Sequence, residues 1–229
     1  MENRRKSIIT QLVDNMVKVE GGTFYRGSII KNEKHIYPVT LNDFCIGKYK
    51  VTREEWEAVM DNYISTYRAK DPADHVAWND CQEFIKKLND LTGLKFRMPT
   101  EAEWEYAARG GNKFQGYKYS DSITIDDLAW YWEELEHQGR PVKSNDPNEL
   151  GICGLNERVG EWCSDWYKYD YYASAPINNP TGPSTGYDRV IRGGGFQYSM
   201  RLSSYPHYYQ DDFEGIKAGI ASLRLACSL

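Results

Sequence analysis

A chain of 229 residues with 28 Lys+Arg against 33 Asp+Glu carries a formal net charge of -5, which disfavours a protein that lives by neutralising phosphates, so nucleic acid is not an expected partner. The length suits one large domain, and no Pro/Ser-rich linker or charge block divides it. Five cysteines, Cys45, Cys81, Cys153, Cys163 and Cys227, are an odd number without short paired spacings, which fits reduced, mostly buried thiols better than a disulfide framework.

In chain order, residues 1–15 predict a short amphipathic helix with Ile8, Ile9, Leu12 and Val13 on one face. Its apolar positions are interrupted by Gln11, Asp14 and Asn15, so it is neither a secretion signal nor a membrane span, and a reducing, cytoplasmic setting without membrane insertion is expected. Met16 to Val19 reads as a strand, and with Gly21-Gly22 and Thr23 to Arg26 it predicts a hairpin with a glycine turn. Pro38 to Lys50 predicts two short strands around an Asn42-Asp43 turn.

Three helix starts follow. Thr52 with Glu55 is a capping box, in which the hydroxyl accepts from the backbone three residues on and the carboxylate reaches back. The helix it opens should bury Trp56, Val59 and Met60. Asn79 with Gln82 predicts a second capping box, with Phe84, Ile85, Leu88 and Leu91 as the inward stripe and Gly93 as the stop. Thr100 with Glu103, introduced by Pro99, is the third, with Trp104, Ala107 and Ala108 facing inward until Gly110-Gly111. Glu101, Glu103 and Glu105 are read as first-turn charges that complement the helix dipole, not as catalytic acids.

The run from Arg97 to Gly111, RMPTEAEWEYAARGG, the run from Pro147 to Trp166, PNELGICGLNERVGEWCSDW, and Arg189 to Phe196, RVIRGGGF, together resemble the formylglycine-generating-enzyme (sulfatase-modifying factor) domain family. The resemblance extends from about Val17 to the C-terminus. It implies an α+β, C-type-lectin-like fold, loop-rich, with short antiparallel strands and a few capped helices. The expected organisation is an N-terminal helical extension of residues 1–15 and a single domain of residues 16–229.

Family members place calcium in two stretches, and this chain departs from both. Where an Ala-Asn-Ile-Trp segment opens the first site, Ala129-Trp130-Tyr131-Trp132 puts Trp130 in place of an oxygen ligand that a hard cation needs. In the second, only Glu161 and Trp162 of the motif remain, and Arg158 is expected to stand in for the cation by pairing with Glu161 or Glu157. The oxygen-dependent enzymes of the family bind copper through two thiols after a Gly-Gly-Ser-aromatic run. With Gly193-Gly194-Gly195-Phe196 setting the register, those positions fall on Tyr198 and Ser203, a phenol and a hydroxyl that cannot make a soft two-thiolate site. The four histidines, His35, His75, His137 and His207, have no metal-ligand spacing, and no G-x-S-x-G occurs. No catalytic residue, metal ligand or cofactor is expected.

Phe196 to Phe213 reads FQYSMRLSSYPHYYQDDF, rich in Tyr and Ser, with Asp, His and Gln and without lysine. Tyr gives large contact area at low rotamer entropy, and Ser and Asp add adaptable hydrogen bonds, so the segment suits recognition; filling an irregular core with tyrosines is the alternative. It resembles the C-terminal ligand segment of variable proteins from diversity-generating retroelements, in which adenine-templated codons yield such residues. That resemblance implies a variable segment within residues 193–224 and a ligand surface of Phe196, Tyr198, Ser199, Ser203, Tyr205, His207, Tyr208, Tyr209, Asp211 and Asp212. The partner would be an unidentified protein or surface macromolecule. A divergent metal-dependent oxidase and a structural accessory domain are the other readings, and Arg224 is expected to pair inside the fold.

Overall fold

A computed structural model describes residues 2–26, 37–62, 67–114, 141–142, 146–155, 159–193, 207–210 and 221–229. The chain opens with α1 (Glu2–Asp14), whose Ile8 and Leu12 are buried, with Ile9 and Val13 packed beside the core. Short strands follow, β1 (Met16–Val19), β2 (Gly22–Arg26), β3 (Tyr37–Leu41) and β4 (Phe44–Gly47), then helices α2 (Arg53–Met60) and α3 (Trp78–Thr92). After β5 (Phe96–Arg97) and α4 (Glu101–Ala108) come β6 (Gly160–Tyr167), β7 (Asp188–Arg192), β8 (His207–Gln210), β9 (Ala221–Ser222) and β10 (Ala226–Ser228).

Among the described residues the strands form two four-stranded sheets, β1-β4-β10-β5 and β8-β7-β6-β9, and a two-stranded pair, β2-β3. The hairpin expected around Gly21-Gly22 does not form: β1 pairs with β4, and β2 with β3. The glycines are a crossing point between sheets. The Gly21 N–H is taken by Asp43 Oδ1 at 2.9 Å, and a Cβ at Gly21 would sit 2.2 Å from the Leu41 carbonyl oxygen, so the chain passes too close to the β3–β4 connection for any other residue. The same crossing separates β3 from β4, which belong to different sheets on either side of Asn42-Asp43.

Two of the three expected capping boxes form. Thr52 Oγ1 accepts from Glu55 N at 3.3 Å while the Thr52 N–H donates to Glu55 Oε2 at 2.7 Å; Thr100 and Glu103 repeat this at 3.1 and 2.8 Å. The second helix instead starts at Trp78, with Ala77 at the cap and Asp80 Oδ2 accepting the Ala77 N–H at 3.0 Å, so Asn79 and Gln82 lie inside it. Tertiary anchoring fixes this start: the Trp78 indole N–H donates to the Cys163 carbonyl at 2.9 Å. The helix buries Cys81, Phe84, Ile85 and Leu88, whereas Leu91, expected inside, is 59% exposed because the last turn runs past the core; Gly93, at φ 71°, closes the helix. In α2, Val59 is buried while Trp56 and Met60 are only partly covered, Trp56 stacking on Phe84 at 4.8 Å.

The C-terminal segment runs from one sheet to the other, β9 lying parallel to β6 and β10 antiparallel to β4. At the crossing lies Arg224, fully buried. Its guanidinium grips Glu161 twice, Nε to Oε2 and Nη2 to Oε1, each at 2.7 Å. Nη1 also donates to the Gly47 carbonyl and Nη2 to that of Cys153, both at 2.9 Å. Trp104 Nε1 donates to Glu161 Oε2 at 2.6 Å, and Lys50 Nζ lies 3.5 Å from Oε1. Burial pushes the Glu161 carboxyl up, but Arg224 and Lys50 outweigh it and hold the group below the usual range. Arg224 thus pairs inside the fold, as expected.

Removing one side of such a pair leaves the other charge buried and alone, which costs about 3–5 kcal/mol. Glu161→Gln is expected to lower unfolding free energy by about that amount, measured by urea denaturation; a loss within experimental error would show that the pair is not structurally required.

Candidate functional site

Of the expected ligand segment, residues 207–210 are described and form β8, the outer strand among the described residues of the sheet β8-β7-β6-β9. β7 is antiparallel to both neighbours. Its register sets Asp188 opposite Gln210, Arg189 opposite Tyr209, Val190 opposite Tyr208 and Ile191 opposite His207. Three expected site residues, His207, Tyr208 and Tyr209, therefore share one strand. Phe196, Tyr198, Ser199, Ser203, Tyr205, Asp211 and Asp212 lie outside the described residues.

The strand beneath is held from both faces. Val190 and Ile191 are buried in different clusters, Val190 with Phe44, Trp104 and Cys163, and Ile191 with Phe84, Trp162 and Leu223. Arg189 sits between two indoles, 3.7 Å from the Trp78 ring centre and 3.4 Å from that of Trp166, and its Nη1 donates to the Ser164 carbonyl at 2.9 Å. Tyr209 thus occupies the register position opposite Arg189, whose guanidinium is held by α3 and β6. This sandwich was not foreseen, although both ends of its signal were visible in the Trp166 and Arg189 ends of the two motif runs.

At the other end of β7 a buried ionic cluster holds the turn into the glycine run. Arg192 Nη2 reaches Glu105 Oε2 at 3.2 Å, and Arg192 Nη1 lies 3.7 Å from Glu101 Oε1. Arg26 pairs with Glu101 and, at 3.2 Å, with Glu105, while Arg109 reaches Glu105 Oε1 at 2.7 Å. Tyr172 OH donates to Glu101 Oε2 at 3.0 Å. Glu101 and Glu105 are therefore structural partners of buried arginines, beyond the dipole role expected for them. Gly193 follows at φ 95°, where a Cβ would lie 3.3 Å from the Leu155 carbonyl oxygen.

Asp165 completes this cluster, its Oδ2 accepting the Glu101 N–H at 3.0 Å. Burial, then the charge of Glu101, pushes its carboxyl up to about 7.

The chemistry available to a metal is limited among the described residues, where no three His, Cys, Asp or Glu side chains converge to hold an ion. Both oxygens of Glu161, the retained residue of the second calcium motif, are engaged by Arg224, Trp104 and Lys50, so its donor set does not fit a calcium ion. Arg158 and Glu157, expected to compensate for that ion, lie outside the described residues, as does the Ala129–Trp132 stretch. Cys163 is buried, which raises its thiol well above the usual range and leaves it unreactive.

These features, a C-type-lectin-like α+β scaffold with the Glu161–Arg224 pair at its centre and a glycine run after β7, define a domain class. The chain belongs to the sulfatase-modifying factor enzyme 1-like domain family, whose family model matches residues 5–226. Among its relatives, the chaperone protein LppX of Paenibacillus barcinonensis is 30% identical, over 94% of this chain and 91% of its own. The formylglycine-generating enzyme of Streptomyces coelicolor is 39% identical over 57% of this chain, which spans 44% of that enzyme. Treponema denticola variable protein 1 has the same fold, with a TM-score of 0.75 and 25% identity over 93% of this chain and 95% of that one.

The raised carboxyl of Asp165 makes a pH prediction. A folded-state pKa of about 7 against an ordinary unfolded value of about 3.9 means a contribution fully present below about pH 4 and lost as pH rises through about 7. Asp165→Asn should therefore gain stability relative to the parent chain between pH 5 and 8, read from urea midpoints across that range; a constant difference would contradict the shift.

Proposed function

We propose that the chain is a non-catalytic ligand-binding protein that presents a Tyr/Ser-rich C-terminal surface on a lectin-like scaffold. In this reading residues 16–229 act as one binding domain with residues 1–15 as its extension. The surface comprises Phe196, Tyr198, Ser199, Ser203, Tyr205, His207, Tyr208, Tyr209, Asp211 and Asp212, and lies within a segment, 193–224, of the kind diversified in retroelement variable proteins. The observation that carries it is the likeness to Treponema denticola variable protein 1 along nearly the whole of both chains. The rigid β7 rail paired with β8 supports it, since a preformed surface binds without the cost of ordering its own support. The phenol and hydroxyl at Tyr198 and Ser203 argue against copper-thiolate oxidase chemistry. The partner is a protein or surface macromolecule; the net charge of -5 argues against nucleic acid.

A second reading is favoured by the relative named as a chaperone, with which this chain is co-extensive. There the same surface would hold a non-native chain, and stoichiometric suppression of aggregation of a denatured test enzyme would support it over recognition of a folded partner.

The binding reading separates surface from core at β8. Because residues along a strand alternate between faces, Tyr208→Ala and Tyr209→Ala probe the two faces separately. On a ligand surface each should move Tm by no more than about 2 °C. A core tyrosine would cost about 3–5 kcal/mol and shift Tm by roughly 10 °C. A large loss in either variant would remove that tyrosine from the surface and losses in both would contradict the reading, as would copper retained stoichiometrically by the purified chain.

A further inference from the structure

We propose that Cys45 and Cys227 are a redox modification site that closes to a reversible disulfide with a low-molecular-weight disulfide as oxidant. They are far apart in sequence, and no spacing rule connects them. In the fold, β10 lies antiparallel to β4 with Cys227 directly opposite Cys45. Opposed residues on such a ladder have Cα atoms about 4.5–5.5 Å apart, inside the range of about 4.4–6.8 Å that a disulfide requires. The two thiols are near enough for Cys45 to act on the ionisation of Cys227. Both cysteines are half-buried and within reach of a small reagent, whereas Cys81, Cys153 and Cys163 are buried. Opposed placement and access coincide at this pair alone among the five cysteines.

The surroundings set the rate. Across the sheet, Lys18 on β1 is opposite Cys45, and Arg97 on β5 is opposite Ala226, next to Cys227. Burial, then contact with Cys45, pushes the Cys227 thiol up to about 11, and the Arg97 charge works in the other direction. Cys227 therefore rests as a thiol at neutral pH, so its exchange with a small disulfide is slow and quickens as pH rises.

The reaction is a two-step exchange. One thiolate of the pair attacks a sulfur of the small disulfide, forms a mixed disulfide and releases one small thiolate. The facing thiolate then attacks the protein sulfur of that mixed disulfide, the new S–S bond forms, and the second small thiolate leaves. The pair gives up two protons and two electrons, and the small disulfide is reduced to two thiols. The product fastens β10, which follows Arg224 in the chain, to β4.

The test treats the full chain with oxidised glutathione and then with dithiothreitol, following intact mass, peptide maps and Tm. The expected result is loss of two hydrogens with no retained glutathione, and a bridged peptide containing Cys45 and Cys227. Tm should rise by about 5 °C or more, since closing so long a loop restricts the unfolded chain, and dithiothreitol should reverse both changes. Cys45→Ser should instead keep one glutathione on Cys227. Glutathione retained by the parent chain, an unchanged mass, or a bridge mapped to other cysteines would each overturn the proposal; peptide maps of the parent chain decide this even if the variant fails to fold.

Discussion

The fold turns on one buried pair, Glu161 with Arg224. A guanidinium offers five donors in a rigid fork, and here two go to the carboxylate of β6, while others close on the carbonyls of Gly47, at the end of β4, and Cys153, in the approach to β6. The indole of Trp104 brings α4 to the same carboxylate. Both sheets, a helix and the C-terminal crossing are thereby joined at a point where burial would otherwise be costly. The desolvation cost of the two charges is offset because the partners that remain are satisfied, and Lys50 adds a second cation. The same arrangement explains why the retained glutamate of a calcium motif need not report calcium.

From that centre the support extends to β7, the strand that pairs with β8. β7 is fixed by burial of Val190 and Ile191, by the Trp78–Arg189–Trp166 sandwich at one end and by the Arg192 cluster with Glu101 and Glu105 at the other. In the proposed reading, this support is what a diversified binder needs beside the segment it presents. The buried ionic cluster also carries a liability, because Asp165 is buried next to a second acid, Glu101, and protonating it relieves first the burial of its charge and then their repulsion.

Local chemistry was legible in the sequence, and long-range pairing much less so. Thr52 and Thr100 announce their helices because a capping box is complete within four residues, and Gly93 announces its stop because only a left-handed residue ends the helix there. The domain family was legible for a related reason: its motif runs mark the cap of α4, the core strand β6 and the turn after β7, all fixed by tight packing. Strands of four or five residues read alike whichever partner they take, so the β1–β4 and β2–β3 pairings were invisible and a false hairpin stood in for them. The start of α3 was misplaced because the Trp78 indole is anchored on β6, a contact that no local rule contains. At the candidate site, the composition of residues 196–213 pointed to recognition. The rail beside it, which joins residues 78, 166 and 189, becomes visible only when the chain is folded.

The central claim, that a constant scaffold presents a variable binding segment, is tested most directly by sequencing the 3′ end of this gene and its flanking DNA across the source population. The account predicts substitutions at adenine-templated codons between Phe196 and Phe213, constancy from Val17 to Arg192, and a near-copy of the segment beside a reverse transcriptase gene. An invariant segment without such a copy would contradict it and leave a domain with one fixed ligand.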